Sequence, residues 1–185
     1  WCGLLCPQGA LSEYAGRFGL NKPIPRWLRW DGMGVISFII ITTLAQLVGA
    51  RDYALPALEV IGGTMVIAAV IGFLYTSKRR AWCRYLCPIG PLLGIFSRLG
   101  AVSFERNGGD GKGCVCPTFI NTQIKKTSSN CIECFRCVGP DAAHSLHMKV
   151  RRPGIEVEDI KNREPNIWEV LFLFSATGLA LAAFH

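Results

Sequence analysis

WCGLLCPQGALSEYAGRFG, residues 1–19, recurs in the same chain as WCRYLCPIGPLLGIFSRLG, residues 82–100. With an offset of 81, nine of the 19 positions are identical, including one Trp, both Cys and the Pro that follows the second Cys. After the Pro, apolar residues recur at helical spacing and a Gly closes each copy. Each copy therefore predicts a Cys-x-x-x-Cys-Pro loop that leads into a short amphipathic helix lying along a membrane surface.

The duplicated cysteines are Cys2, Cys6, Cys83 and Cys87. The backbone N–H groups at a helix start favour a thiolate or a bound sulfide near the second Cys of each pair. One pair alone cannot fill a tetrahedral metal site, whereas four thiols that converge across a pseudo-two-fold axis could hold an iron–sulfur cluster. The alternative is that each pair acts as a redox dithiol, and the sequence leaves both interpretations open.

Long apolar runs cover residues 32–50, 55–77 and 167–185, and only 18% of the 185 residues are charged. About 20 helical residues at ~1.5 Å each cross a hydrocarbon core of ~30 Å. The first two runs therefore predict a transmembrane hairpin, and the third predicts the start of another transmembrane helix. The alternative is a soluble protein that buries these segments as core helices.

Charge distribution predicts the orientation of this hairpin. Of the 20 Lys and Arg residues, only Arg51 lies in the turn between the first two runs. The positive-inside rule then places residues 1–30 and 78–165, which contain all nine Cys, on the cytoplasmic face. A reducing compartment favours metal or redox roles for these thiols over structural disulfides. The net charge of +7 is explained by topology and anionic lipid, and no motif indicates nucleic-acid binding.

A third cysteine group has ferredoxin spacing. Cys131, Cys134 and Cys137 form Cys-x-x-Cys-x-x-Cys, the first three ligands of a bacterial [4Fe–4S] motif, and Cys116-Pro117 upstream supplies a fourth ligand. Position 141, where another Cys of such a motif would fall, holds Asp. These residues predict one [4Fe–4S] cluster. Zinc is the alternative metal, but two-residue gaps within a triple are less typical of it.

The two WCxxLCPxG copies that flank a membrane hairpin and precede a ferredoxin motif resemble the NapH/NosR-type membrane polyferredoxins. The resemblance implies a multi-pass electron-transfer protein of the bacterial inner membrane, which passes electrons between the quinol pool or a flavin domain and a respiratory reductase. In that family pattern, the paired Cys-x-x-x-Cys-Pro motifs map to the four duplicated cysteines. This chain departs from the pattern in carrying one ferredoxin cluster instead of two. Any FMN would lie on a domain outside this sequence.

The sequence thus predicts a membrane all-α fold, with a transmembrane hairpin plus the start of a third helix, and a small cytoplasmic ferredoxin-like iron–sulfur insert. The predicted segments are a loop and amphipathic helix at 1–30, the hairpin at 31–77, the second loop and amphipathic helix at 78–101, the ferredoxin-like segment at 102–165 and the third transmembrane helix at 166–185.

The expected role is that of an electron-transfer subunit of an oxidoreductase system rather than a stand-alone enzyme. The alternatives are a maturation or metal-reducing accessory protein for a separate metal centre, and a redox-sensing regulator. Cys114 has no assigned role. Because Trp1 lies inside a motif and His185 inside an apolar run, we expect the chain to be a fragment of a longer protein.

Overall fold

The computed structural model describes residues 2–75, 79–106, 115–122, 125, 128–138, 146–159 and 166–182. Within these ranges the helices are α1 (Pro7–Arg17), α2 (Met33–Leu47), α3 (Ala54–Leu74), α4 (Gly90–Leu99), α5 (Ile155–Glu158) and α6 (Ile167–Ala182), and a π-helical turn covers Trp82–Leu86. Strands β1 (Val102–Arg106) and β2 (Leu146–Val150) form an antiparallel pair. Most of the described chain is helical, as the sequence predicts.

Among the described helices, only α3 is long and apolar enough to cross a membrane. Its 21 residues span about 31 Å, whereas the 15 residues of α2 span only about 22 Å. Helix α2 is therefore shorter than the apolar run of residues 32–50 in which it forms. The chain leaves the helix at Val48 and turns at Gly49, which adopts a φ of 66° that favours Gly.

The apolar helices are largely uncovered. Only 17% of the most apolar stretch of α3 is buried. Side chains such as Leu47 on α2, Leu55 on α3 and Phe174 on α6 are each at least 74% exposed. A soluble protein would bury helices of this composition, because exposed apolar area costs roughly 25 cal/mol per Å². The exposure therefore argues against the core-helix alternative.

Helix α1 packs against α3. The Gln8 amide donates a hydrogen bond to Thr64 Oγ1 at 2.9 Å, and a Cβ on Gly72 would lie 2.1 Å from the Ser12 carbonyl oxygen. Farther along, the Leu20 N–H donates to the Phe73 carbonyl at 2.9 Å. These contacts join the first Cys-x-x-x-Cys-Pro copy to the second half of α3.

The predicted ferredoxin-like segment, residues 102–165, contains the two-stranded sheet, with Val102 opposite Val150 and Phe104 opposite Met148. The sheet lies within this segment and outside the helices predicted to form the membrane part, and its strands were not predicted from the sequence. The Glu156 carboxylate on α5 accepts the Ser128 N–H at 3.0 and 3.1 Å. Since Ser128 precedes the cysteine triple by three residues, this contact anchors the start of that loop to the end of the insert.

Candidate iron–sulfur centres

The two Cys-x-x-x-Cys-Pro copies position their cysteines differently. Cys6 is the N-cap of α1, with Pro7 in the first helical position. Cys83 lies within the π-helical turn, and Cys87 caps that turn three residues before α4 begins. The copies are in contact, because the buried Trp82 indole donates to the Gln8 side-chain oxygen at 3.4 Å. The repeat therefore folds as two facing loops.

The structure brings the four duplicated cysteines together. Cys2, Cys6, Cys83 and Cys87 line one cavity of about 280 Å³, whose wall also includes apolar residues of α4. All eight described cysteines are free thiols. The four duplicated thiols therefore border one common space.

Burial dominates the acidity of these thiols. It raises the pKa of Cys83 to about 12, with further increases from the neighbouring thiols Cys87, Cys6 and Cys2 and an opposing effect from Arg80. Burial first, and then Cys6, also raise the pKa of Cys2. A reactive dithiol needs a lowered thiol pKa, so Cys83 and Cys2 are poor nucleophiles as free thiols. Thiolates here require a compensating positive charge, which a bound metal centre supplies.

The helix-start donors expected from the sequence are present beside Cys87. Burial raises the pKa of this thiol to about 11, although hydrogen bonds from the Ile89 and Gly90 backbone N–H groups act in the opposite direction. The two hydrogen bonds therefore act in the direction that the sequence predicts, but desolvation outweighs them and the net pKa of Cys87 is raised. The same N–H groups remain oriented to stabilise a thiolate once a metal is bound.

The predicted ferredoxin ligands line a second, smaller cavity. Cys116, Cys131, Cys134 and Cys137 all contribute to its wall. Two polar groups contact their sulfur atoms: Lys125 Nζ lies 3.5 Å from Cys131 Sγ, and Thr118 Oγ1 lies 3.3 Å from Cys116 Sγ. Hydrogen bonds to the sulfurs are among the factors that set the potential of an iron–sulfur cluster.

Three residues in or next to the cysteine triple have a left-handed backbone conformation, which residues other than Gly rarely adopt. Asn130, Glu133 and Phe135 have φ values of 61°, 50° and 56°. Left-handed residues contribute to the backbone N–H nests that surround many phosphate and Fe–S sites, so this strain is consistent with a loop shaped for an anionic cluster. The sequence gives little sign of it, since none of these residues is Gly.

The eight cysteines border two cavities. Within the described ranges, no three His, Cys, Asp or Glu side chains converge on a position for one metal ion. Structural zinc needs four ligands around one point, with Zn–S distances of about 2.3 Å. A [4Fe–4S] cluster instead distributes four thiolates over four irons, so its ligands surround a volume. The paired cysteines, which line a cavity of about 280 Å³, fit the second requirement.

The two cavities adjoin each other. Cys131, Ile132 and Glu133 line both of them. The first loop also contacts this shared segment through its backbone, because a Cβ on Gly3 would lie 2.6 Å from the Ile132 carbonyl oxygen and 2.7 Å from the Cys134 Cα. The ferredoxin loop and the paired motifs therefore form one continuous structure around two neighbouring sites.

Replacing Gly3 with Ala tests this close approach. The added methyl group meets backbone atoms that cannot rotate away, so the two loops must separate. We expect a loss of about 1–3 kcal/mol in unfolding free energy, the usual cost of overpacking, and a lower cluster content. Chemical denaturation and visible absorption measure the two effects. Gly62→Ala is the matched control, because its new Cβ meets nothing within 4 Å; equal behaviour of the two variants would contradict the contact.

An ion-pair network joins the two motifs, and the sequence did not predict it. Glu13 on α1 accepts hydrogen bonds from Arg80 Nε at 2.9 Å and from Arg136 Nη2 at 2.5 Å. Burial opposes ionisation of Glu13, but these hydrogen bonds and charges hold the pKa of its carboxyl below the ordinary value. The partners of Glu13 are 67 and 123 residues away along the chain, a separation at which no local pattern signals pairing.

Cys114 and Asp141 lie outside the described residues.

The chain matches a family model described as a 4Fe-4S binding domain at residues 1–25 and 60–107. Each matched segment contains one Cys-x-x-x-Cys-Pro copy, and the cysteine triple lies beyond both segments. The family match therefore falls on the paired motifs. No solved structure matches the chain.

Curated relatives are similar over most of this chain. It is 31% identical to "Putative electron transport protein YccM" of Escherichia coli (strain K12), over 83% of this chain and 52% of the relative. It is 24% identical to "Ferredoxin-type protein NapH" of the same organism, over 75% of this chain and 57% of that protein. The uncharacterized protein MJ0749 of Methanocaldococcus jannaschii is 29% identical, over 75% and 59% respectively. The chain thus spans less than two thirds of each of these relatives. The paired motifs lie inside the matched domain and NapH is among the relatives, so these similarities support a NapH-like polyferredoxin family for this chain.

Proposed function

We propose that this chain is an iron–sulfur electron-transfer protein of the bacterial inner membrane with two [4Fe–4S] centres. Cys116, Cys131, Cys134 and Cys137 hold one centre, and Cys2, Cys6, Cys83 and Cys87 hold the other. The observation that carries the proposal is the grouping of these eight cysteines around two cavities with a common wall at Cys131, Ile132 and Glu133. Bound clusters supply one-electron redox chemistry at both sites.

The paired-motif centre is supported by two independent observations. The four thiols share one cavity, which suits a single four-ligand centre. The 4Fe-4S binding domain match covers both of the segments that contain them. Separate redox dithiols would need two pairs that act apart from each other, and the shared cavity gives no support for that arrangement. The names of YccM and NapH, an electron transport protein and a ferredoxin-type protein, support the same chemistry.

Membrane insertion is supported by α3 and by charge. This helix has the length and composition of a span, and the exposed apolar faces of α2 and α6 suit lipid contact. Lys and Arg residues are concentrated outside the turn between α2 and α3. The positive-inside rule then puts both cysteine groups on the cytoplasmic side of a multi-pass protein. In this arrangement residues 31–77 and 166–185 form the membrane part, and residues 1–30 and 78–165 form the redox part.

A polar cavity suits a quinol donor. It has a volume of about 440 Å³ and lies among α2, α4 and α6. It adjoins the paired-cysteine cavity, and the residues that line both are Arg84, Gly90, Gly94 and Asn130. Quinol oxidation releases two electrons and two protons, so its site needs proton acceptors. The Asp31 and Glu169 carboxylates line the cavity. Arg98 lines it as well, and among the described side chains its buried Nε has no hydrogen-bond partner, leaving a donor for a quinol oxygen.

The direct test of the two centres is the iron and acid-labile sulfide content of the purified protein. Two [4Fe–4S] clusters require about eight irons per chain, and a ferredoxin cluster alone requires about four. Tight zinc or copper with no iron would overturn the proposal in favour of the metal-handling alternative. A respiratory reductase is the proposed acceptor, and a flavin domain is the alternative donor.

Glu169→Gln tests the donor site. Glu169 pairs with Arg98 at 3.2 Å, and the amide cannot take up a proton from the quinol. We expect cluster reduction by a short-chain quinol to slow on the order of 100-fold, as for loss of a general base, while reduction by dithionite is unchanged. Stopped-flow visible absorption measures both rates. Glu158→Gln, on the exposed side of α5, should leave both rates unchanged. A normal quinol rate in Glu169→Gln would point to another donor, such as a flavin domain.

A further inference from the structure

One buried cation lies between the two cysteine groups. Arg80 is only 6% exposed. Its Nη1 donates to the Cys2 carbonyl at 2.9 Å, and its backbone N–H donates to the Pro117 carbonyl at 2.8 Å. Arg80 thus contacts the first loop of the paired motifs and the residue that follows Cys116.

The guanidinium of Arg80 also faces the paired thiols. The position that a Cβ on Gly9 would occupy lies 3.2 Å from Arg80 Nη1 and 3.2 Å from Cys83 Sγ. The absence of a side chain at Gly9 therefore leaves the cation and the thiol on either side of a narrow gap. A charge that is buried at this range from a thiolate interacts with it far more strongly than a charge in water.

Glu13 fixes the position of this cation. One carboxylate oxygen accepts from Arg80 and the other accepts from Arg136, which lies between Cys134 and Cys137. The three side chains carry two positive charges and one negative charge. The network therefore leaves one net positive charge beside two sites that the proposed function fills with anionic clusters.

We propose that Arg80 is a positioning residue that raises the redox potential of the centre held by the paired cysteines. The inference rests on the proposed function, since it requires a cluster at that site. One-electron reduction adds one negative charge to a cluster with four thiolate ligands and breaks no bond. A fixed positive charge stabilises the reduced form more than the oxidised form, and net charge is one of the factors that set the potential.

The test is a potentiometric EPR titration of the full chain with its clusters. We expect Arg80→Gln to lower the midpoint potential of the paired-cysteine centre, and Arg80→Lys to stay closer to wild type because it keeps the charge. Cys83→Ser identifies which signal belongs to this centre. Arg152→Gln, an exposed arginine paired with Glu158, is the control and should leave the potential unchanged.

A second variant covers the case in which Arg80→Gln fails to fold. Glu13→Gln removes the compensating negative charge and keeps a hydrogen-bond acceptor, so we expect it to raise the same potential. Opposite shifts of the midpoint potential in the two variants would support an electrostatic role, because loosened packing alone would not shift the potential in opposite directions. An unchanged potential in folded variants that show the paired-centre signal would overturn the role of Arg80 and leave the proposed function intact. The lack of any paired-centre signal in wild type would overturn both.

Discussion

Replacing Cys83 and Cys87 together with Ser should remove about half of the bound iron, roughly four of eight irons per chain. Both side chains line the paired-cysteine cavity, and Ser keeps their approximate size while its hydroxyl replaces the soft thiolate ligand. The ferredoxin ligands belong to the neighbouring cavity, so their cluster should persist. Iron and sulfide analysis, with EPR after reduction, measures the loss.

The complementary variant is Cys116→Ser. It should remove or perturb the ferredoxin cluster and leave the paired centre in place, so the two variants lose different EPR signals. Cys131→Ser should affect both signals, because Cys131 lines both cavities. Full iron content in the Cys83→Ser, Cys87→Ser variant would show that the paired cysteines hold no cluster. In that case the redox-dithiol alternative would regain support.

The sequence predicted the grouping of the cysteines through features that are local or repeated. The duplication of Trp, Cys and Pro at a constant offset indicated two equivalent loops, and the structure places those loops face to face. Spacing within the triple indicated Cys131, Cys134 and Cys137, and Cys116 joins them around one cavity. Motif spacing predicts this grouping because the ligands that one tight loop supplies to a cluster lie at fixed separations along it.

The amphipathic pattern of α1 indicated a helix but not what its faces contact. Leu11, Tyr14 and Phe18 form the apolar pattern, and all three are exposed. The buried positions are Gly9, Ser12, Glu13 and Gly16. Small residues allow the α1 backbone to approach α3 closely, and this packing leaves the apolar side chains exposed.

Long-range features escaped the sequence for a physical reason. The Arg80–Glu13–Arg136 network and the β1–β2 pairing join residues that are dozens of positions apart, and their geometry depends on the whole fold. The end of α2 at Leu47 was also not predicted, because the apolar run continues to residue 50. Gly49, with its positive φ, was the one local signal for this turn.

Glu156→Ala should cost about 3–5 kcal/mol in the unfolding free energy of the insert, the usual effect of breaking a buried ion pair. The side chains of Arg151 and Glu156 are only 6% and 2% exposed. Without the carboxylate, Arg151 remains a buried cation, although it keeps weaker contacts with carbonyls near the end of α4. The Ser128 N–H also loses its acceptor, so the start of the cysteine loop loosens. Denaturant unfolding followed by circular dichroism measures the cost.

The same residue makes stability depend on pH. Burial opposes ionisation of Glu156, but hydrogen bonds from Arg151 and Ser128 and the charge of Arg151 hold the pKa of its carboxyl below the ordinary value. Its contribution is therefore fully present above the unfolded pKa of about 4.3 and is lost as pH falls through the lower folded value. Glu156→Gln should flatten this acid-side loss. Glu158→Ala breaks an exposed pair and should change stability by less than about 1 kcal/mol at any pH; equal losses in Glu156→Ala and Glu158→Ala would show that the buried pair does not anchor the loop.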